Sequence, residues 1–265
     1  MNIPKIIFSH RWKTILLCVL FNLLFEFSMR TASGFLRQPI LLVLLPTVYI
    51  SYFAMFEDLI VRYHLRDYQV VVVGFIFGMF YMMFGSGAMF AGPLVFDVNL
   101  NAIVFIGILW WGVIQGVLTF YFANRIDARD WQHAIMGKKG WIAGVLINAA
   151  ILFLLWLNPY LPRGSTTGHL IGAGLAASAA IILAWDLRRK RRSAAKFEQS
   201  LALDSLSFGS VLFFVLMGIS FLSDNQLVGA TYGSPTATML VIRWTLILFL
   251  GLLVYVYMRR KPISV

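Results

Sequence analysis

The chain has 265 residues, of which 60% are hydrophobic and only 12% charged, and it carries a formal net charge of +11 at a mean hydropathy of +0.81. That balance lies far from the usual soluble composition and excludes a water-soluble globule, because the polar side chains are too few to cover its surface. Most of the outer surface then faces lipid.

The predicted fold is an all-α integral membrane protein. Barrel strands alternate in polarity over ~10 residues, whereas runs such as Val70-Val71-Val72-Val73 and Leu152-Phe153-Leu154-Leu155 are apolar throughout. Crossing a hydrocarbon layer of ~30 Å takes about 20 helical residues, and apolar stretches of roughly that length predict eight spans, near 13–30, 38–61, 69–91, 101–124, 140–158, 168–186, 206–223 and 236–258. The first follows Lys13 like a secretion signal, but Glu26 and Arg30 argue against cleavage. The second starts at Pro39, contains Pro46 and ends in Glu57, Asp58 and Arg62. Glycines four apart (Gly74 and Gly78, Gly112 and Gly116, Gly140 and Gly144, Gly168 and Gly172) give the third to sixth spans flat stripes for close helix approach. These four spans are expected to form the tight centre, with the sixth fully enclosed. The third and seventh spans end alike, in Gly85 to Pro93 and Val228 to Pro235, as a four-plus-four duplication would produce. The connections are short, so one polytopic domain over 1–265 is expected, with no soluble domain.

Lys and Arg fix the expected orientation, since cytoplasmic connections keep an excess of them. Eighteen of the 22 fall on one side, among them Lys5, Arg11, Lys13, Arg62, Arg66, Arg125, Arg129, Lys138, Lys139 and the run Arg188, Arg189, Lys190, Arg191, Arg192. Arg30, Arg37 and Arg163 fall on the other side, and Arg243 lies inside the eighth span. Both termini are therefore expected in the cytoplasm, and the setting is expected to be the inner membrane of a prokaryote. The positive charge reads as orientation, with the 188–192 run against anionic headgroups, and not as a nucleic-acid surface. Tyr and Trp residues such as Tyr49, Tyr52, Trp110, Trp111 and Tyr121 are expected near the interfaces. Cys18, the single cysteine, is expected to pack as a small apolar side chain.

Ionisable and amide groups within spans are costly and point to function. Counting depth at ~1.5 Å per residue sorts them into two layers. The outer one holds Glu26, Arg243 and, one turn from Glu26, Asn22; Glu26 can pair with Arg243 or with Arg30. The inner one holds Glu57, Asp58, Gln115 and Asn148, flanked by Tyr52 and Arg62. Asp58 and Arg62 are four apart and can pair, which leaves Glu57 as the freer carboxylate.

The segment Glu57-Asp58-Leu59-Ile60-Val61-Arg62 resembles the Glu-Glu-x-x-x-Arg element of the CAAX-protease and bacteriocin-processing family, with Asp in place of the second Glu. The resemblance implies an intramembrane enzyme whose glutamate activates water beside histidines from later helices. No later span has a central histidine here: His133 is in a connection and His169 opens the sixth span. Asn124, Asp127 and Asp130 form an Asn-x-x-Asp-x-x-Asp run faintly similar to the first metal site of membrane prenyltransferases, without a second acidic cluster. There is no phosphate loop, no His-Glu-x-x-His and no Cys-x-x-Cys, so no cofactor is expected. Three classes remain. A permease or permease-partner subunit for a small or lipid-like substrate leads, with Glu26, Arg243, Asn22, Gln115 and Asn148 as binding or gating residues. A membrane-embedded enzyme using Glu57, Asp58 and Arg62, and a non-catalytic scaffold, are the alternatives.

Overall fold

The computed structural model describes residues 10–30, 41–126, 129, 135–189, 201, 204, 205 and 209. Among them the chain is helical, with no strand beyond an isolated bridge between Val95 and Val98. The helices are α1 (His10–Arg30), α2 (Leu41–Tyr63), α3 (Asp67–Phe80, continued by a π turn over Tyr81–Gly85), α4, α5 (Lys138–Trp156) and α6 (Thr166–Arg189). Helix α4 changes geometry along its length: α over Leu100–Ala102, π over Ile103–Leu118 and α again over Thr119–Ile126.

Among the described residues five stretches, Val43–Tyr63, Asp67–Gly85, Leu100–Tyr121, Lys138–Trp156 and Thr166–Arg189, are long and apolar enough to cross a membrane; the apolar part of α1, Trp12–Leu23, is shorter. The predicted seventh and eighth spans lie outside the described residues, and so does the proposed duplication that involves the seventh.

Helix α2 organises the bundle because it packs on two faces, one apolar and aromatic, the other carrying buried polar groups. Val48, Tyr49, Tyr52, Phe53, Phe56 and Ile60 recur at the 3–4-residue spacing of one helix face and are all buried. Their rings meet those of Phe77, Trp111 and Phe120, with Tyr52 edge-on to Phe77 and Trp111 at centroid distances of 5.2 Å and Phe56 edge-on to Phe120 at 5.2 Å. Tyr49, Tyr52, Trp110, Trp111 and Tyr121 are thus core residues and not the interfacial anchors expected. Aromatic content marks them as large apolar groups, but burial follows the helix face on which each falls. Ser51, Met55 and Asp58 lie on the other face of α2, toward α5.

The tightest crossing is α3 against α4, as the glycine pairs predicted. A Cβ added at Gly74 would sit 2.3 Å from the Trp111 carbonyl oxygen and 2.8 Å from the Gly112 Cα, so the two backbones touch. The same stripes do not make a centre of α5 and α6. Gly144 does abut Met55 and Gly172 abuts Met83, but only Gly168, Gly172 and Ala176 of α6 are buried. Leu170, Ile181, Ile182 and Trp185 are exposed. Helix α6 is peripheral rather than enclosed: it packs through the small residues Gly168, Gly172 and Ala176 alone, and its large apolar side chains stay exposed.

The third span stops at Gly85, short of the expected 91. Gly87 takes a left-handed φ of +63° and stands 2.5 Å (as a built Cβ) from the Pro162 carbonyl oxygen, a place for glycine alone. The chain then runs through a short 3₁₀ turn, Ala88–Phe90, to Asn99. The Asn99 side chain caps α4 by accepting from the Ala102 N–H at 3.1 Å and donates to the Ala91 carbonyl.

Candidate functional site

The polar residues of the bundle fall into distinct groups, which successive helices build from one end to the other. At the Lys/Arg-rich end, Glu57 and Asp58 are consecutive on α2 and therefore point about 100° apart. Asp58 faces α5. Its Oδ2 accepts from Arg62 Nε and Nη2 at 3.0 and 2.9 Å and from Trp141 Nε1 at 2.6 Å, and its Oδ1 accepts from the Met136 N–H at 2.9 Å. Arg62 in turn donates to the Met136 carbonyl at 2.8 Å. The predicted Asp58–Arg62 pair is present.

Glu57 is not the freer carboxylate. Arg129 donates through Nε to Oε1 at 2.7 Å and through Nη2 to Oε2 at 2.5 Å, and both side chains are about 3% exposed. The guanidinium also lies 5.7 Å from the centre of the Phe120 ring. Sequence placed Arg129 among the solvated charges of a connection; an uncompensated carboxylate in an apolar interior draws a cation to itself, and Arg129 is the one that reaches it. Together the two acids clasp both flanks of the connection between α4 and α5, Arg129 on one side and Met136 on the other.

Deeper in the bundle α1 runs antiparallel to α4. Cys18 Sγ lies 4.0 Å from the Thr119 carbonyl oxygen. One turn further, Gln115 Nε2 donates to Asn22 Oδ1 at 2.7 Å, with both residues fully buried. Asn22 and Gln115 were expected in different layers, and the structure joins them. Depth counted at the α-helical rise misplaces Gln115, because it follows a stretch of π-helix, whose wider turns advance less per residue. Among the described residues Asn22 Nδ2 and Gln115 Oε1 have no hydrogen-bond partner, nor does the buried Tyr52 hydroxyl.

Asn148 joins a third group. Its Nδ2 donates to Ser51 Oγ and to the Gly144 carbonyl, both at 2.8 Å, and its Oδ1 accepts from the Tyr81 hydroxyl at 2.6 Å. Tyr81 is stacked on Trp111 with ring centres 4.6 Å apart. Glu57, Gln115 and Asn148 therefore do not converge on one point. A fourth contact, absent from the sequence reading, ties α3 to α6: Asp186 accepts from the Tyr68 hydroxyl at 2.5 Å and from Gln69 Nε2 at 2.7 Å. An acid near the end of a span facing a Gln near the start of another was the available signal.

Asn124 donates to the Phe120 carbonyl of its own helix at 2.6 Å. Asp127 and Asp130 lie outside the described residues, as do Arg243, Lys190, Arg191 and Arg192; the side chain of Glu26 is likewise outside what is described. Arg189 stands over the Trp185 ring at 4.1 Å, in the terminal turn of α6 with Arg188. Comparison with protein-family models, with curated proteins and with solved structures found no match to this chain. The class that fold and composition define is a multi-pass helical membrane protein.

Proposed function

We propose that this chain is a permease, or the membrane subunit of one, for a small substrate, and that the Glu57–Arg129 pair with its Asp58 neighbour is the gate at its Lys/Arg-rich end. The buried, doubly bonded ion pair carries this reading. An ion pair held out of water roughly breaks even against apolar side chains of the same volume, since desolvation offsets attraction. A closure made this way can open by readmitting water, because both charged partners regain hydration as they separate. Behind it the sequence Cys18, then Asn22 with Gln115, leads inward along α1 and α4. The gate lies at the cytoplasmic face of a prokaryotic inner membrane, with both termini on that side and the 188–192 run against anionic headgroups.

The lone cysteine tests the gate without knowledge of the substrate. In vesicles exposing the basic end, a membrane-impermeant methanethiosulfonate reagent is expected to label Cys18 slowly in the native chain and at least tenfold faster in Glu57→Gln, with gel filtration reporting an intact bundle. A Cys18 that stays unlabelled in both would leave a static scaffold as the better account. The enzyme reading is less well supported, because both oxygens of Glu57 are engaged by Arg129 and neither is left to activate water.

A further inference from the structure

We infer that Asn22 and Gln115 form a recognition site, within the membrane, for an uncharged small molecule that carries a hydrogen-bond acceptor beside a donor, as primary carboxamides and ureas do. The inference rests on the permease reading and names its substrate class.

Two side-chain amides that face each other can exchange two hydrogen bonds. These exchange one, at 2.7 Å, and leave a donor, Asn22 Nδ2, and an acceptor, Gln115 Oε1, without partners although both residues are fully buried. Interchanging oxygen and nitrogen in both amides gives the same result, one spare acceptor and one spare donor, so the pattern does not depend on how the amides are oriented. Buried groups of this kind are ordinarily paired, and an unmade pair in an apolar surround is costly. The spare pair is complementary to a ligand with the same two functions in reverse order.

The surroundings set the ligand's charge and size. Of the ionic side chains described beside the α1–α4 seam, Glu57 and Arg129 are bonded to each other. The two spare groups are themselves uncharged, so an ion would meet no opposite charge on them, which lipid-embedded sites resist. Cys18 and Thr119 lie one turn from the pair on α1 and α4, while at Gly116 the Phe56 ring closes in, 3.4 Å from a built Cβ, so the site suits a molecule of a few heavy atoms. A water molecule could also satisfy the two groups, and the experiment separates water from solute.

The full chain is reconstituted in liposomes and the entry of acetamide and of urea is followed by stopped-flow light scattering, with osmotic water flow measured in the same vesicles. Native vesicles are expected to take up acetamide several-fold faster than empty ones, and Asn22→Leu combined with Gln115→Met is expected to abolish that excess. Removing both amides together leaves no orphan, so the double variant should fold; Gln115→Met alone, close in volume, is read in the same way. Equal acetamide entry in native and variant vesicles overturns the inference, and so does a change confined to water flow. Cys18 labelling decides how far such a failure reaches. If Cys18 is labelled while acetamide entry ignores the amides, the site falls and the permease stands; if Cys18 is also silent, both fall.

Discussion

Glu57 and Asp58, adjacent on α2, hold opposite flanks of one connection: Glu57 grips Arg129 through two bonds of 2.7 and 2.5 Å, and Asp58 takes the Met136 N–H at 2.9 Å. Each acid has its own cation, Arg129 or Arg62, and the two networks differ in burial, since the Arg62 side chain is 41% exposed and that of Arg129 only 3%. The consequences of breaking them therefore differ.

Arg129→Met strands a buried carboxylate and is expected to cost about 3–5 kcal/mol, whereas Arg129→Met combined with Glu57→Gln should recover most of that loss. Denaturant titration in detergent, set out as a double-mutant cycle, checks this. A double variant as unstable as the single one would mean that Glu57 is not what Arg129 compensates.

Asp58 receives four donors, so Asp58→Asn turns one acceptor atom into a donor facing others and should cost about 3 kcal/mol or more. Trp141→Phe removes one of the four and should cost about 1.5–3 kcal/mol, the range for a hydrogen bond to a charged group. The order of midpoints in the same titration, native above Trp141→Phe above Asp58→Asn, is the observable.

Two glycines, one in α3 and one in α6, should respond in opposite directions. Gly74→Ala drives a methyl against the Trp111 carbonyl and is expected to destabilise by about 1–3 kcal/mol or more. Gly174, with nothing within 4 Å of its built Cβ, should gain up to about 1 kcal/mol on mutation to Ala through helix propensity. Similar midpoints for the two variants would contradict the α3–α4 contact.

Tyr52→Phe keeps a ring that touches Phe53, Phe56, Phe77 and Trp111 and removes a buried hydroxyl that has no partner among the described residues. It should raise stability by about 1 kcal/mol. A clear loss would reveal that the hydroxyl is satisfied in the membrane.

Much of this was readable in the sequence where the signal is local. The limits of α1, α2 and α5 follow from runs of apolar residues, the Asp58–Arg62 pair from a spacing of four, and the α3–α4 crossing from glycines four apart. What escaped was non-local. The partner of Glu57 lies 72 residues away in a polar connection whose composition resembles any solvated loop, and only the presence of an in-membrane acid asked for it. Asn22 and Gln115 were separated because the π geometry of Ile103–Leu118 leaves no mark that a count at the α-helical rise can detect. Within the same stretch Gly107 and Gly112, five apart, both face α3 and its π continuation, against Phe75 and Met82 and against Val71, as a longer turn allows.

The grip of α2 on both flanks of the α4–α5 connection makes that stretch of backbone mechanically redundant. If the peptide chain were cut between Arg129 and Met136, α4 and α5 would still be tethered through α2, one by a guanidinium and the other by a main-chain amide and an indole. The two fragments, made as separate polypeptides, have what they need to reassemble side by side.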